Sequence, residues 1–202
     1  MKNKFIAICG GEGSGKSTMV AYLRELYPAG LTVSREPGGS PFAEAIRITM
    51  FSEGGRDSTP ETQFGLAWAA RSDHMTKLVI PALGQGPVVL DRFDCCTFAY
   101  QIHGGEAPHL KDLFWQVRER FLVRKPDLYI FFDVDPATGL ARAAARKGPG
   151  NFFDERRLPF HERIRVGYLE FLQTVPHVTI DANQPLEQVK AQFATIIQER
   201  LG

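Results

Sequence analysis

Short apolar runs rich in branched and aromatic residues recur along the chain at Phe5 to Cys9, Leu31 to Ser34, Val88 to Asp91, Leu128 to Asp133 and Val178 to Ile180. Short runs of this kind are the pattern of buried strands. Longer stretches with helical spacing separate them: Ser17 to Leu26, Thr62 to Leu83, Leu110 to Arg124, Pro136 to Lys147, Pro159 to Thr174 and Pro185 to Leu201. Alternation of the two predicts an α/β fold, a five-stranded parallel sheet with helices on both faces. Ligands of such folds collect outside the carboxyl ends of the strands, so polar residues just beyond those ends are the first candidates for chemistry.

Composition narrows the picture. The 202 residues are 44% hydrophobic, which suits one well-filled core, so residues 1–202 are expected to form a single domain. Gly148-Pro149-Gly150 then reads as a mobile loop inside it. Lys and Arg number 24 against 23 Asp and Glu, without the broad positive field that a nucleic-acid polymer attracts. Behind Met1-Lys2-Asn3-Lys4 the apolar run reaches only Cys9, too short for a membrane span or a signal peptide's apolar region. Three cysteines, Cys9, Cys95 and Cys96, are poor material for a disulfide framework and point to a reducing, cytoplasmic setting.

The segment Gly10-Gly11-Glu12-Gly13-Ser14-Gly15-Lys16-Ser17, followed by Thr18, fits G-x-x-x-x-G-K-[ST] between a predicted strand and a predicted helix, the context a P-loop requires. Its backbone N–H groups and the helix N-terminus suit phosphate oxygens. Lys16, read as solvent-facing, would reach the β- and γ-phosphates of ATP while the Ser17 hydroxyl ligates Mg²⁺. Asp91 closes an apolar strand and resembles the acidic residue that supports Mg²⁺ opposite a P-loop. Glu12 is out of place in a loop built for anions; a non-phosphate partner such as a sugar hydroxyl, or a solvent-facing side chain, are its two readings.

The P-loop, then Arg35-Glu36-Pro37-Gly38-Gly39-Ser40, Ala69-Ala70-Arg71, Asp91-Arg92-Phe93 and Ala99-Tyr100-Gln101 together resemble the thymidylate kinase family in order and spacing, from about Phe5 to Ile180-Asp181-Ala182. That resemblance implies a P-loop kinase three-layer fold, ATP with Mg²⁺, a deoxynucleoside monophosphate acceptor, and a homodimer. It assigns Arg35, Pro37, Arg47, Arg71, Arg92, Thr97, Tyr100 and Gln101 to the acceptor, with Tyr100 packing on the sugar. Catalysis falls to Lys16, Arg92 and Glu12. Residue chemistry agrees, because two highly charged anions approach one another only where arginines offset their repulsion.

Departures from the family pattern fall at the acceptor base and the lid. Where the family carries a phenylalanine that stacks on thymine, this chain has Ala67, while Phe64 and Trp68 share its helical face with Arg71 and are the candidate replacement rings. Cys96 stands in Cys95-Cys96-Thr97 where the family has a serine, and Cys9 stands where it often has glutamate. A lid is expected around residues 143–158, but Phe152 occupies the place of its arginine. Arg142, Arg146, Arg156 and Arg157 are the nearby candidates to take over that charge. Three readings follow: a thymidylate-type kinase, a kinase for another or modified deoxynucleotide, and a nucleotide-binding protein with little turnover.

Overall fold

The computed structural model describes residues 3–146, 153 and 156–201. Its strands are β1 (Phe5–Gly10), β2 (Thr32–Arg35), β3 (Val88–Asp91), β4 (Leu128–Asp133) and β5 (His177–Asp181). They form one sheet in the order β2-β3-β1-β4-β5, and every strand pair in it is parallel. The expected sheet is therefore observed with strand ends shifted by a residue or so, but only β1, β3 and β4 are buried as expected; the edge strands β2 and β5 are partly exposed, since each has a neighbouring strand on one side only.

Helices α1 (Lys16–Leu26), α2 (Pro41–Phe51), α3 (Glu53–Arg56), α4 (Pro60–His74), α5 (Ile80–Leu83), α6 (Asp94–Thr97), α7 (Lys111–Phe121), α8 (Pro136–Ala144), α9 (Leu158–Leu172) and α10 (Leu186–Leu201) cover it. Successive β1 side chains point to opposite faces, and all six are buried. Phe5, Ala7 and Cys9 join a core with Phe98, Phe114, Tyr168 and Phe171. Ile6 and Ile8 join the other, with Met19 and Leu23 of α1 and Phe193 and Ile197 of α10. Apolar packing on both faces is what excludes water from the sheet and leaves its carboxyl edge as the place for polar groups.

Two stretches depart from simple helices. The span predicted as Thr62 to Leu83 is α4, a π turn at Met75–Val79, and α5; Pro81 has no N–H for the ladder, and the wide turn just before it lets the helix continue. After α6 the chain makes a second π turn at Phe98–Gly104, closed by Gly105 N to Tyr100 O at 2.9 Å and Ala107 N to Ile102 O at 2.8 Å. It lies flush on α9 at Gly167, where a Cβ would come within 2.9 Å of Ala99 Cα. That close seat presents Tyr100 to the carboxyl edge of the sheet.

Candidate active site

The Gly10 to Ser17 segment runs from the end of β1, through a loop at residues 11–15, into the start of α1. Gly13 has φ +67°, and a Cβ there would collide with the Gly139 carbonyl of α8, so the loop lies pressed against that helix. Ser14 Oγ donates to Gly11 O at 2.8 Å. Lys16 is the first residue of α1 and, contrary to the sequence reading, it is buried. Its Nζ curls back to donate to Gly11 O at 2.6 Å and Ser14 Oγ at 3.1 Å. Burial lowers its pKa and Arg92 adds to that, against the opposing pull of Glu12 and Asp91. Ser17 and Thr18 are exposed on the first turn of α1, where unpaired backbone N–H groups suit an anion.

Glu12, the anomalous loop residue, is buried and its partners are in the protein. Its Oε1 accepts from Arg92 Nη2 at 2.9 Å and from the Tyr100 hydroxyl at 2.8 Å. Arg92 Nη1 also donates to the Tyr100 oxygen at 3.2 Å. Burial pushes the Tyr100 hydroxyl well above its ordinary pKa, which keeps it a donor to Glu12. Arg92 sits in the left-handed region at φ +69°, uncommon for a non-glycine residue and the kind of strain retained at functional turns. Its N–H bonds to Ile8 O at 2.8 Å, fixing the turn to β1. Beside it the Oδ1 of Asp91 is buried with no hydrogen-bond partner among the described residues.

From this cluster a cavity of about 490 Å³ runs between α2, α4 and the second π turn. Glu12, Pro37, Arg47, Arg71, Arg92, Thr97, Tyr100 and Gln101, all expected at an acceptor, line it. Arg71 is buried, giving Nε to Glu36 Oε2 at 2.8 Å and Nη2 to Thr97 Oγ1 at 3.0 Å. Its Nη1 has no partner among the described residues, which leaves a donor for a ligand. Thr97 accepts from Arg71, so its own hydroxyl hydrogen is free to donate. Arg47 Nη1 is held by Pro37 O at 3.0 Å.

Several expected residues lie elsewhere. Arg35 does not line the cavity; it is half exposed and paired with Glu44 at 3.0 Å. Phe64 and Trp68 do not line it either. They belong to the large apolar core, where Trp68 packs on Phe114 and Phe121 at 5.5 and 6.1 Å, because burying two large rings there removes more apolar surface from water than a polar cavity wall would. Of that helical face only Ala67 and Arg71 reach the cavity.

Of the lid arginines, Arg142 spends its guanidinium on Ala182 O and Asn183 O at 2.6 and 3.4 Å, tying α8 to the end of β5. Arg146 follows α8, and Arg157 is exposed at the start of α9. Arg156 lies 5.5 Å over the Phe160 ring and lines a smaller adjoining chamber of about 100 Å³. Residues 147–152, 154 and 155, including Phe152 and half of the expected lid, lie outside the described residues.

Two buried acids were not assigned from sequence. Glu36 holds Arg71 and, at 3.1 Å, His74 Nδ1, whose other ring nitrogen meets Ser34 Oγ at 2.9 Å. Asp94 takes Tyr129 OH at 2.7 Å, Cys95 N at 2.9 Å and Arg118 Nε at 2.6 Å. Glu36 stands inside the Arg35-Glu36-Pro37 segment and Asp94 directly follows Asp91-Arg92-Phe93, and that adjacency was the available signal. Cys96 reaches the cavity, and burial pushes its thiol well up in pKa, which keeps it protonated and unreactive at neutral pH.

Residues 8–193 match the family model described as thymidylate kinase. The chain is 42% identical to the thymidylate kinase of Caulobacter vibrioides over 98% of this chain and 97% of that one. It is 39% identical to that of Magnetococcus marinus, over 99% and 98%. Its structure is similar to the crystal structure of thymidylate kinase from Ehrlichia chaffeensis, with a TM-score of 0.73 and 25% identity over 96% of this chain and 98% of the other. With the P-loop formed, and Arg92 standing between it and a cavity lined by the expected acceptor residues, the chain belongs to the thymidylate kinase family.

Proposed function

We propose that the protein transfers the γ-phosphoryl group of ATP to dTMP, forming ADP and dTDP. The observation that carries this reading is the Glu12–Arg92–Tyr100 cluster, which joins a P-loop to a nucleotide-sized cavity through one guanidinium. An acceptor phosphate oxygen attacks the γ-phosphorus, the bond to the β-phosphate oxygen breaks, and ADP leaves with that electron pair. Arg92 lies where two anions must meet and offsets their repulsion, and Glu12 holds its orientation. Lys16 exchanges its loop contacts for phosphate oxygens. Arg71 and Thr97 offer buried hydrogen-bond donors to the base, and the Tyr100 ring walls the sugar.

The donor set suits Mg²⁺. Asp91 brings a buried carboxylate oxygen lacking any other partner among the described residues, and Ser17 an exposed hydroxyl at the head of α1. Bound there, the ion would neutralise phosphate charge. We also read the protein as a cytoplasmic homodimer, the dimer on family resemblance and the compartment on its free thiols. Among the described residues no helix is long and apolar enough to cross a membrane.

The test is ADP formation with ATP, Mg²⁺ and a panel of dTMP, dUMP, dCMP, dGMP and ribothymidylate. The reading expects the highest kcat/KM for dTMP. ADP release that is the same with or without any acceptor would overturn it.

A further inference from the structure

Among the described residues, four aromatic rings line the acceptor cavity: Phe51, Phe93, Tyr100 and Phe153. Three are committed elsewhere. Phe93 is fully buried, with the Arg71 guanidinium 5.2 Å over it and Phe5 edge-on at 5.2 Å. Tyr100 is bound through its hydroxyl to Glu12 and carries Arg92 at 5.3 Å from its ring, which places it at the phosphate end. Phe153 lies parallel to Phe160 at 6.1 Å and meets Tyr100 edge-on at 4.8 Å.

Phe51 differs. It is the last residue of α2 and half-buried. The Arg47 guanidinium lies 4.9 Å over its ring, and Phe153 touches it edge-on at 6.1 Å. Its helix packs on α4 through Ala43, Ile46 and Met50 against Ala67 and Ala70, and both Phe51 and Ala67 line the cavity. A base needs a flat apolar wall on at least one face, and beside the polar Gln63 and Arg71 the apolar group that α4 puts at the cavity is the Ala67 methyl.

We propose that Phe51 is the specificity-determining ring on which the acceptor base stacks, supplying from α2 the wall that α4 lacks at Ala67; this rests on the reading of the cavity as the acceptor site. A guanidinium over the ring is held there by cation–π attraction, so Arg47 sets the plane of Phe51 and Ala67 leaves the thickness for a base beside it.

Calorimetric affinities for dTMP, ATP and 2-deoxyribose 5-phosphate, which has no base, test this in wild type, Phe51→Ala, Phe51→Leu, Phe153→Ala and the exchange Phe51→Ala/Ala67→Phe. Loss of base–aromatic stacking predicts that Phe51→Ala weakens dTMP at least about fivefold, with ATP and the baseless sugar phosphate unchanged. Phe51→Leu keeps bulk without a π face and is expected to weaken dTMP in the same direction. Phe153→Ala is expected to have the smaller effect, and the exchange to recover dTMP affinity. Wild-type dTMP affinity in a folded Phe51→Ala or Phe51→Leu overturns the proposal, as does an equal loss for the baseless ligand or no recovery in the exchange. A wild-type protein that does not bind dTMP at all defeats the acceptor reading itself, a separate result.

Discussion

Arg92 and Glu12, 80 residues apart in the chain, meet at 2.9 Å at the point where the P-loop opens into the acceptor cavity. A carboxylate in an anion-binding loop is tolerable because it spends its charge on the Arg92 guanidinium, the group proposed above to lie between the two phosphates. Glu12→Gln keeps the volume and removes the charge. We expect kcat to fall at least about tenfold, a loss of roughly 1.4 kcal/mol of transition-state stabilisation, with the KM for ATP little changed. Steady-state kinetics in both substrates checks it; an unchanged kcat removes Glu12 from the positioning of Arg92.

Lys16 provides a pH signature. In the nucleotide-free protein burial holds its pKa below the ordinary 10.5, with Arg92 adding to the shift, and adjacent ATP phosphates favour its ammonium form. The complex therefore binds more protons than the free protein between the lowered free pKa and the raised bound one, so ATP affinity falls as pH rises through that window. Titration calorimetry in two alkaline buffers of different ionisation enthalpy should show proton uptake on ATP binding, absent in Lys16→Ala, which is also expected to abolish transfer. No uptake in the wild type would exclude the lysine from the phosphate site.

Glu36 and Arg71 are each about 3% exposed in their side chains and 2.8 Å apart. Removing one partner leaves a buried charge, so Glu36→Ala should cost about 3–5 kcal/mol of stability and raise the KM for the acceptor. Urea unfolding measures the first, and a loss under about 1 kcal/mol would mean that Arg71 finds water or another partner.

Asp94 gathers Arg118 and Tyr129 beneath the turn that carries Arg92. Asp94→Ala strands both, with an expected cost of about 3–5 kcal/mol. Adding Arg118→Met removes the stranded guanidinium, so the double variant should lose less than the sum of the singles. Additive losses in a urea double-mutant cycle would show that the two side chains act independently.

Sequence alone determined what local chemistry dictates. The apolar runs Phe5 to Cys9, Val88 to Asp91 and Leu128 to Asp133 could be buried only between two helical layers, and G-x-x-x-x-G-K-S between a strand and a helix admits few backbone paths. The arginine-bearing segments after β2 and β3 were legible because carboxyl strand ends converge on one edge in any parallel sheet. Tertiary structure decided the partnerships. Periodicity placed Phe64, Ala67, Trp68 and Arg71 on one helical face, but a face more than 100° wide meets both core and cavity; packing gave the large rings to the core and left Ala67 and Arg71 at the cavity. Arg35 and Arg47 look alike in the sequence, yet only Arg47 lines the cavity, since Glu44 captures Arg35. Glu12 had two open readings until β3 and the second π turn brought Arg92 and Tyr100 to its carboxylate. Contacts across that many residues depend on how helices seat on the sheet, a collective result of core packing that no local pattern encodes.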